Sequence, residues 1–248
     1  MQQAQRDHLS RTDIADRALA MLTAVFGDSI NLLEPAPIEK LIEIFQTNGW
    51  LTFCHDDDLG ILPGGRVIYG EFNVEPMRIR ISPKLKTSTP RFRFTLAHEI
   101  GHFVLHRKLI GKGLYINREQ MPSDGASELK YREMATLSDL GWVEWQANEF
   151  ALALLLPTVT LFQKIQKIQQ GLGINRNFGI IYFDDQPINQ ADASQIIVAL
   201  EREFDVPKAL LWRRLRHLNL LQDRRTKRIK MAYDSIGALF HSQKNNSG

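Results

Sequence analysis

The stretch HEIGHFVLH, residues 98–106, constrains this chain more than any other. Laid out as a helix at about 100° per residue, Thr95, His98, Glu99, His102 and His106 share one arc of about 100°. The rest of that window (Leu96, Ala97, Ile100, Gly101, Phe103, Val104 and Leu105) is apolar or glycine. A helix apolar on nearly every side is a buried helix. Imidazoles and a carboxylate on it need partners, because a buried polar group left unpaired costs free energy. A metal ion is the best candidate. His98 and His102, four apart, project from one face, so both imidazoles reach a single Zn2+ at roughly 2.0–2.1 Å. Glu99 lies about 100° round the helix, beside the ligands, where it suits a general base. The bland alternative is a helix with chance histidines, satisfied in the core or on the surface.

A catalytic zinc takes three protein ligands and keeps a fourth position open. His106 shares the stripe but sits about 12 Å from His98 along an unbroken α-helix, too far to share the ion. It is read as a histidine behind the ligands or in the core. The third ligand must come from elsewhere, and GWVEWQANEFALALLLP, residues 141–157, offers one. With Glu144 at zero, Ala147, Asn148, Ala151 and Leu155 all fall within about 60° of it, so Glu144 lies on the apolar face. Asn148, one turn on, is placed to hold a ligand imidazole through its other ring nitrogen. Glu149, about 140° round, is expected to be solvated. A plainer alternative leaves Glu144 at the domain edge near the helix start.

The surrounding chain reads as α+β. Helical spacing predicts helices over Ala15–Phe26 and over PAPIEKLIEIFQTNGW, with residues 1–12 as a loose start. Between residues 50 and 85 the period changes to short β-branched and aromatic runs, with Arg66–Ser82 as a hairpin turning near Asn73–Pro76. Thr89 is the expected N-cap of the central helix and Pro90 its first residue. Asp56–Asp58 lacks the spacing of a cation loop and reads as solvated. Residues 107–137 read as a long loop, Leu161–Gln170 as a helix, and 177–186 as strand-like. ADASQIIVALEREF and KALLWRRLRHLNLL then form two helices joined by a tight turn at DVP.

The single cysteine, Cys54, excludes an intramolecular disulfide framework and fits a reducing cytosol. The polar N-terminus lacks a signal-peptide core, and no run reaches the roughly 18 apolar residues that span a bilayer. A soluble cytoplasmic protein is expected. Its formal net charge of +3 does not make the whole molecule a nucleic-acid binder. Charge is concentrated, however: nine Lys and Arg against two Asp between Asp205 and Lys230 leave that segment at +7.

FTLAHEIGHFVLH and EWQANEFALALLLP together resemble the ImmA/IrrE family of zinc-dependent metallo-endopeptidases, which pairs an HEIGH helix with a later ExxANxFA…LLMP helix. Leu156 stands where Met is usual, a conservative core swap. The likeness covers residues 30–160 well and 190–221 moderately, but not 107–140 or 177–186. It implies a zincin-like domain with a small antiparallel or mixed sheet packed on the active-site helix, over 13–160. A connector (161–190), a helix-turn-helix-like region (191–222) and a basic and polar tail (223–248) follow. It implies His98, His102 and Glu144 as zinc ligands, Glu99 as general base, and a helix-turn-helix repressor as protein substrate. Met77–Ile81 is the strand expected to hold substrate by strand addition.

A different class of reading starts from the basic helix pair: a non-catalytic, metal-stabilised module binding DNA or protein through Arg213, Arg214 and Arg216. DNA is the less favoured partner, since the pair's apolar residues suit docking on the catalytic domain and charge clusters are often solvated faces.

Overall fold

Ser10 and Asp13 cap one another at the start of the first helix. The Asp13 N–H donates to Ser10 Oγ (3.2 Å), and the Ser10 N–H donates to the Asp13 carboxylate (2.8 Å). Helix α1 therefore begins at Arg11, earlier than its apolar spacing suggested, and runs to Phe26. The computed structural model describes residues 9–27, 34–56, 58–62, 65–87, 89–110 and 139–226. Helix α2 (Ile38–Thr47) buries Ile38, Leu41, Ile42 and Phe45. Two short strands, β2 (Ile61–Leu62) and β3 (Arg66–Val67), pair as an antiparallel ribbon.

The main sheet has three strands: β1 (Thr52–Cys54), β4 (Gly70–Val74) and β5 (Met77–Ile81). Their order is β1-β5-β4, with β1 parallel and β4 antiparallel to β5. Val74 pairs with Met77, so the hairpin turns at Glu75-Pro76. Phe72, Ile79 and Ile81 are buried on one face, as the two-residue period of a strand requires. The order corrects one expectation. Met77–Ile81 lies between two neighbours, so its backbone is already paired and cannot accept a substrate strand. Among the described residues the open edge beside the HEIGH helix belongs to β4. Because the Ser82 N–H bonds Tyr69 O (2.9 Å), antiparallel alternation turns the N–H and C=O groups of Gly70, Phe72 and Val74 to that edge.

Helix α3 (Pro90–Gly101) starts with Thr89 as N-cap, its Oγ1 accepting from the Phe92 N–H (3.2 Å), and with Pro90 in the first turn. It continues through a π-helical turn, His102–His106, into a short helix α4 (Arg107–Ile110). The expected loop after it lies outside the described residues beyond Ile110. Helix α5 (Asp139–Leu155) is the centre of the molecule: Val143–Ala147 and Glu149–Leu156 are all buried. It crosses α3 closely at a glycine. A Cβ on Gly101 would stand 3.1 Å from Ala147 O and 3.2 Å from its Cα, so any larger residue would require the α5 backbone to give by a few tenths of an ångström.

Helix α6 (Thr158–Gly171) leads to β6 (Ile181–Phe183), then to α7 (Pro187–Phe204) and α8 (Lys208–His217). Strand β7 (Leu221–Asp223) returns parallel to β6, Ile181 opposite Leu221. The α7–α8 pair is docked: Ile196, Ile197, Leu200, Phe204, Leu211 and Leu215 are buried, and Trp212 stacks on Phe183 with centroids 5.5 Å apart. Buried apolar residues form one cluster from Leu9 to Leu221. The fold is α+β. The tail expected over 223–248 is described only to Thr226, whose N–H and hydroxyl bond Asp185.

Candidate metal centre

Three side chains converge where α3 crosses α5. His98 and His102 turn their Nε2 atoms toward each other at 3.0 Å. Glu144 enters from α5, with Oε2 at 3.1 Å from His98 Nε2 and Oε1 at 3.3 Å from His102 Nε2. One donor atom from each lies within 4.8 Å of the others, and His102 and Glu144 are buried. Such a set of two imidazole nitrogens and one carboxylate oxygen is a zinc-type donor set.

The far sides of both rings are held. His98 Nδ1 lies 3.0 Å from Asn148 Oδ1, and since a carbonyl oxygen only accepts, the ring proton sits on Nδ1. His102 Nδ1 faces His106 Nδ1 at 3.1 Å, and His106 Nε2 faces Gln146 Oε1 at 3.0 Å. Glu144 Oε1 makes no well-aligned hydrogen bond, and Glu99 Oε2 is likewise buried without a partner. Two lone pairs and a carboxylate facing one another without a resident cation are a cradle that a divalent metal fits.

The charges follow. Burial works against a proton on His98, but the hydrogen bond and charge of Glu144 outweigh it and raise the His98 pKa. Burial would raise the Glu144 carboxyl, yet the charge of His102 and the contacts of both imidazoles hold it well below the usual carboxylate range. His106, buried first of all and repelled by His102 next, is pushed down to about 3 and is neutral.

Glu99 is 4% exposed and points to the sheet instead. A Cβ on Gly70 would meet Glu99 Oε1 at 2.5 Å and Thr95 Cγ2 at 2.7 Å. Only a glycine in β4 lets the strand edge lie against this carboxylate. Thr95 itself returns its hydroxyl to Arg91 O (3.0 Å). Gly70 and Gln146 were not singled out by sequence reasoning. Gln146 left a faint signal, as a polar residue inside an apolar helix; Gly70 left none.

Two expectations need correction. Glu149 is not solvated: it is 1% exposed, because α5 is enclosed on every side. It is ion-paired with Arg213, with Arg11 (3.3 Å) and with His217 (3.7 Å). Of the three arginines proposed for nucleic acid, Arg213 is spent on Glu149, and Arg214 is 3% exposed with its Nε donating to Leu156 O (3.1 Å). Arg216 lies over the Trp212 ring, 5.6 Å from its centroid. Two of the three guanidiniums therefore serve the core.

Residues 65–183 match the family described as the IrrE N-terminal-like domain (Peptidase_M78). None of the curated proteins matches the chain. Among solved structures, a Mycobacterium tuberculosis transcriptional regulator is similar at 18% identity and a TM-score of 0.45, over 82% of this chain and 46% of that one. The chain thus spans less than half of that protein's length. No described helix is long and apolar enough to cross a membrane. The matched segment contains the HEIGH helix, Gly70, Glu144 and Asn148, and it supports the resemblance to the ImmA/IrrE family.

Proposed function

We propose that the chain is a zinc-dependent endopeptidase that cuts a cytoplasmic protein partner, a repressor-type helix-turn-helix regulator by resemblance to its family. One observation carries this: His98 Nε2, His102 Nε2 and a Glu144 oxygen converge within 4.8 Å, next to the buried, half-unpartnered carboxylate of Glu99. His98, His102 and Glu144 would hold the metal, with Asn148 fixing the His98 ring. Zinc so held supplies a Lewis acid and a water of lowered pKa. Glu99 Oε2 accepts the proton from the attacking water and returns it to the leaving amide nitrogen, so the peptide bond ends as a carboxylic acid and an amine. An extended peptide paired with Gly70, Phe72 and Val74 along the β4 edge would bring its carbonyl beside that base.

The reading of a non-catalytic DNA-binding module loses support, since Arg213 and Arg214 are turned inward. The decisive test is Glu99→Gln, assayed with the repressor-like protein from the neighbouring genomic region as substrate. Zinc content should stay at the wild-type level while cleavage falls by about 10²–10⁴-fold, the usual contribution of a positioned acid–base group. Glu99→Gln cutting as fast as wild type would overturn the mechanism.

A further inference from the structure

His106 is the histidine of the stripe with no place among the three converging donors. It is 1% exposed and sits between His102 and Gln146. Residues four apart share one helix face, and the His102 and His106 ring centroids are 5.2 Å from each other. Each proton in the chain can then be placed in turn. Gln146 Oε1 only accepts, so the proton between it and His106 is on His106 Nε2. A neutral imidazole carries one N–H, so His106 Nδ1 is an acceptor. The proton between the rings is therefore on His102 Nδ1, and His102 Nε2 keeps a bare lone pair.

Turning the amide round would reverse every link. An NH2 facing His106 Nε2 would move the His106 proton to Nδ1 and the His102 proton to Nε2. There it would occupy the 3.0 Å gap to His98 Nε2 and block the lone pair. We propose that Gln146, acting through His106, is the positioning residue that holds the His102 proton on Nδ1 and so presents Nε2 to the metal. Alternate residues of α5 then serve one centre: Glu144 as ligand, Gln146 and Asn148 as the acceptors that order the two histidines. The proposal rests on the zinc reading above.

The test uses the full chain and Zn2+ alone, titrated in competition with a chromophoric chelator. Gln146→Leu removes the acceptor and should weaken zinc binding by about 10–100-fold, the usual loss when a group behind a ligand histidine is removed. Gln146→Glu keeps an acceptor facing His106 and should restore wild-type affinity or exceed it, which a purely structural role for the amide would not predict. Nitrogen-15 imidazole spectra of zinc-loaded wild type need no variant: His102 should be protonated at Nδ1 and metal-bound at Nε2. Gln146→Leu binding zinc within twofold of wild type, or His102 bound through Nδ1, would overturn the relay while leaving the metal centre intact. A wild-type protein that takes up no zinc would overturn both.

Discussion

Helix α5 carries two buried carboxylates five residues apart, and the protein treats them in opposite ways. Glu149, on one side, is met by Arg213, Arg11 and His217, groups from α8 and α1. Glu144, on the other, is met by two imidazoles whose remaining nitrogens are committed elsewhere. The first site is closed, because its cations are permanent parts of the chain. The second is open, because its partners supply lone pairs and no lasting charge. A buried carboxylate alone is thus no mark of a metal site; what marks one is a carboxylate surrounded by donors that lack a cation.

Exchanging the charge at each site separates the two. Glu144→Ala should abolish stoichiometric zinc binding and, with it, cleavage, while leaving a folded protein. Zinc retained at wild-type affinity would remove Glu144 from the ligand set. Glu149→Gln should keep zinc but lower the unfolding free energy by about 3–5 kcal/mol, because Arg213 and Arg11 are left facing an uncharged amide. Denaturant titration measures it, and a loss below 1 kcal/mol would show that solvent reaches the junction. If Glu149→Gln released zinc instead, the contrast between open and closed sites would fail.

Acid probes the same contrast more gently. Burial would raise the Glu149 carboxyl, but His217, Arg213 and Arg11 hold it down at about 2, against 4.5 when unperturbed. A carboxyl with a depressed folded-state pKa stabilises the protein above its unfolded value and loses that contribution as pH falls toward the folded one. Stability worth about 3 kcal/mol should therefore disappear between pH 4.5 and 2, and Glu149→Gln should flatten that part of the profile. At the open site the proton competes with the metal rather than with the fold. Since the His98 pKa is raised above 6.5, zinc affinity should already be falling as pH drops toward that value. A pH-independent zinc affinity between pH 8 and 6 would contradict this.

Much of the candidate metal site was legible in the chain because helical periodicity carries it. The polar stripe from His98 to His106 and the apolar face around Glu144 are properties of spacing, and the structure brings those faces together. Glu149 misled for the same reason. A wheel ranks the faces of one helix against each other, but it cannot see that α1 and α8 cover the far face as well. Arg213 and Arg214 misled because a charged side chain on an amphipathic helix is read as solvated until its buried partner is known. Strand order is invisible to alternation: β5 and β4 have the same two-residue period, and only the pairing shows which one is the edge. Gln146 lies about 200° round α5 from Glu144, so spacing on that helix alone does not announce its place beside His106.

Glu99 is the third buried carboxylate and belongs to neither type. It has no cation and is no part of the converging donor set; one oxygen is unpartnered and the other faces the Gly70 backbone. Its setting is therefore made by what is missing at residue 70, a side chain. Gly70→Ala tests this at the smallest scale, one methyl group. The new Cβ would fall 2.5 Å from Glu99 Oε1 and 3.0 Å from its Cγ, so either the strand edge or the carboxylate must move. Overpacking of this kind costs about 1–3 kcal/mol of stability. His98, His102 and Glu144 are not among the three atoms nearest that Cβ, so the zinc donors should keep their affinity. Cleavage, which depends on the base and the substrate edge standing together, should fall by about 10²-fold. Zinc content, thermal midpoint and turnover measured on one preparation distinguish these effects. If turnover survives while the midpoint falls, Gly70 is only a packing position and the β4 edge is not where substrate meets the base.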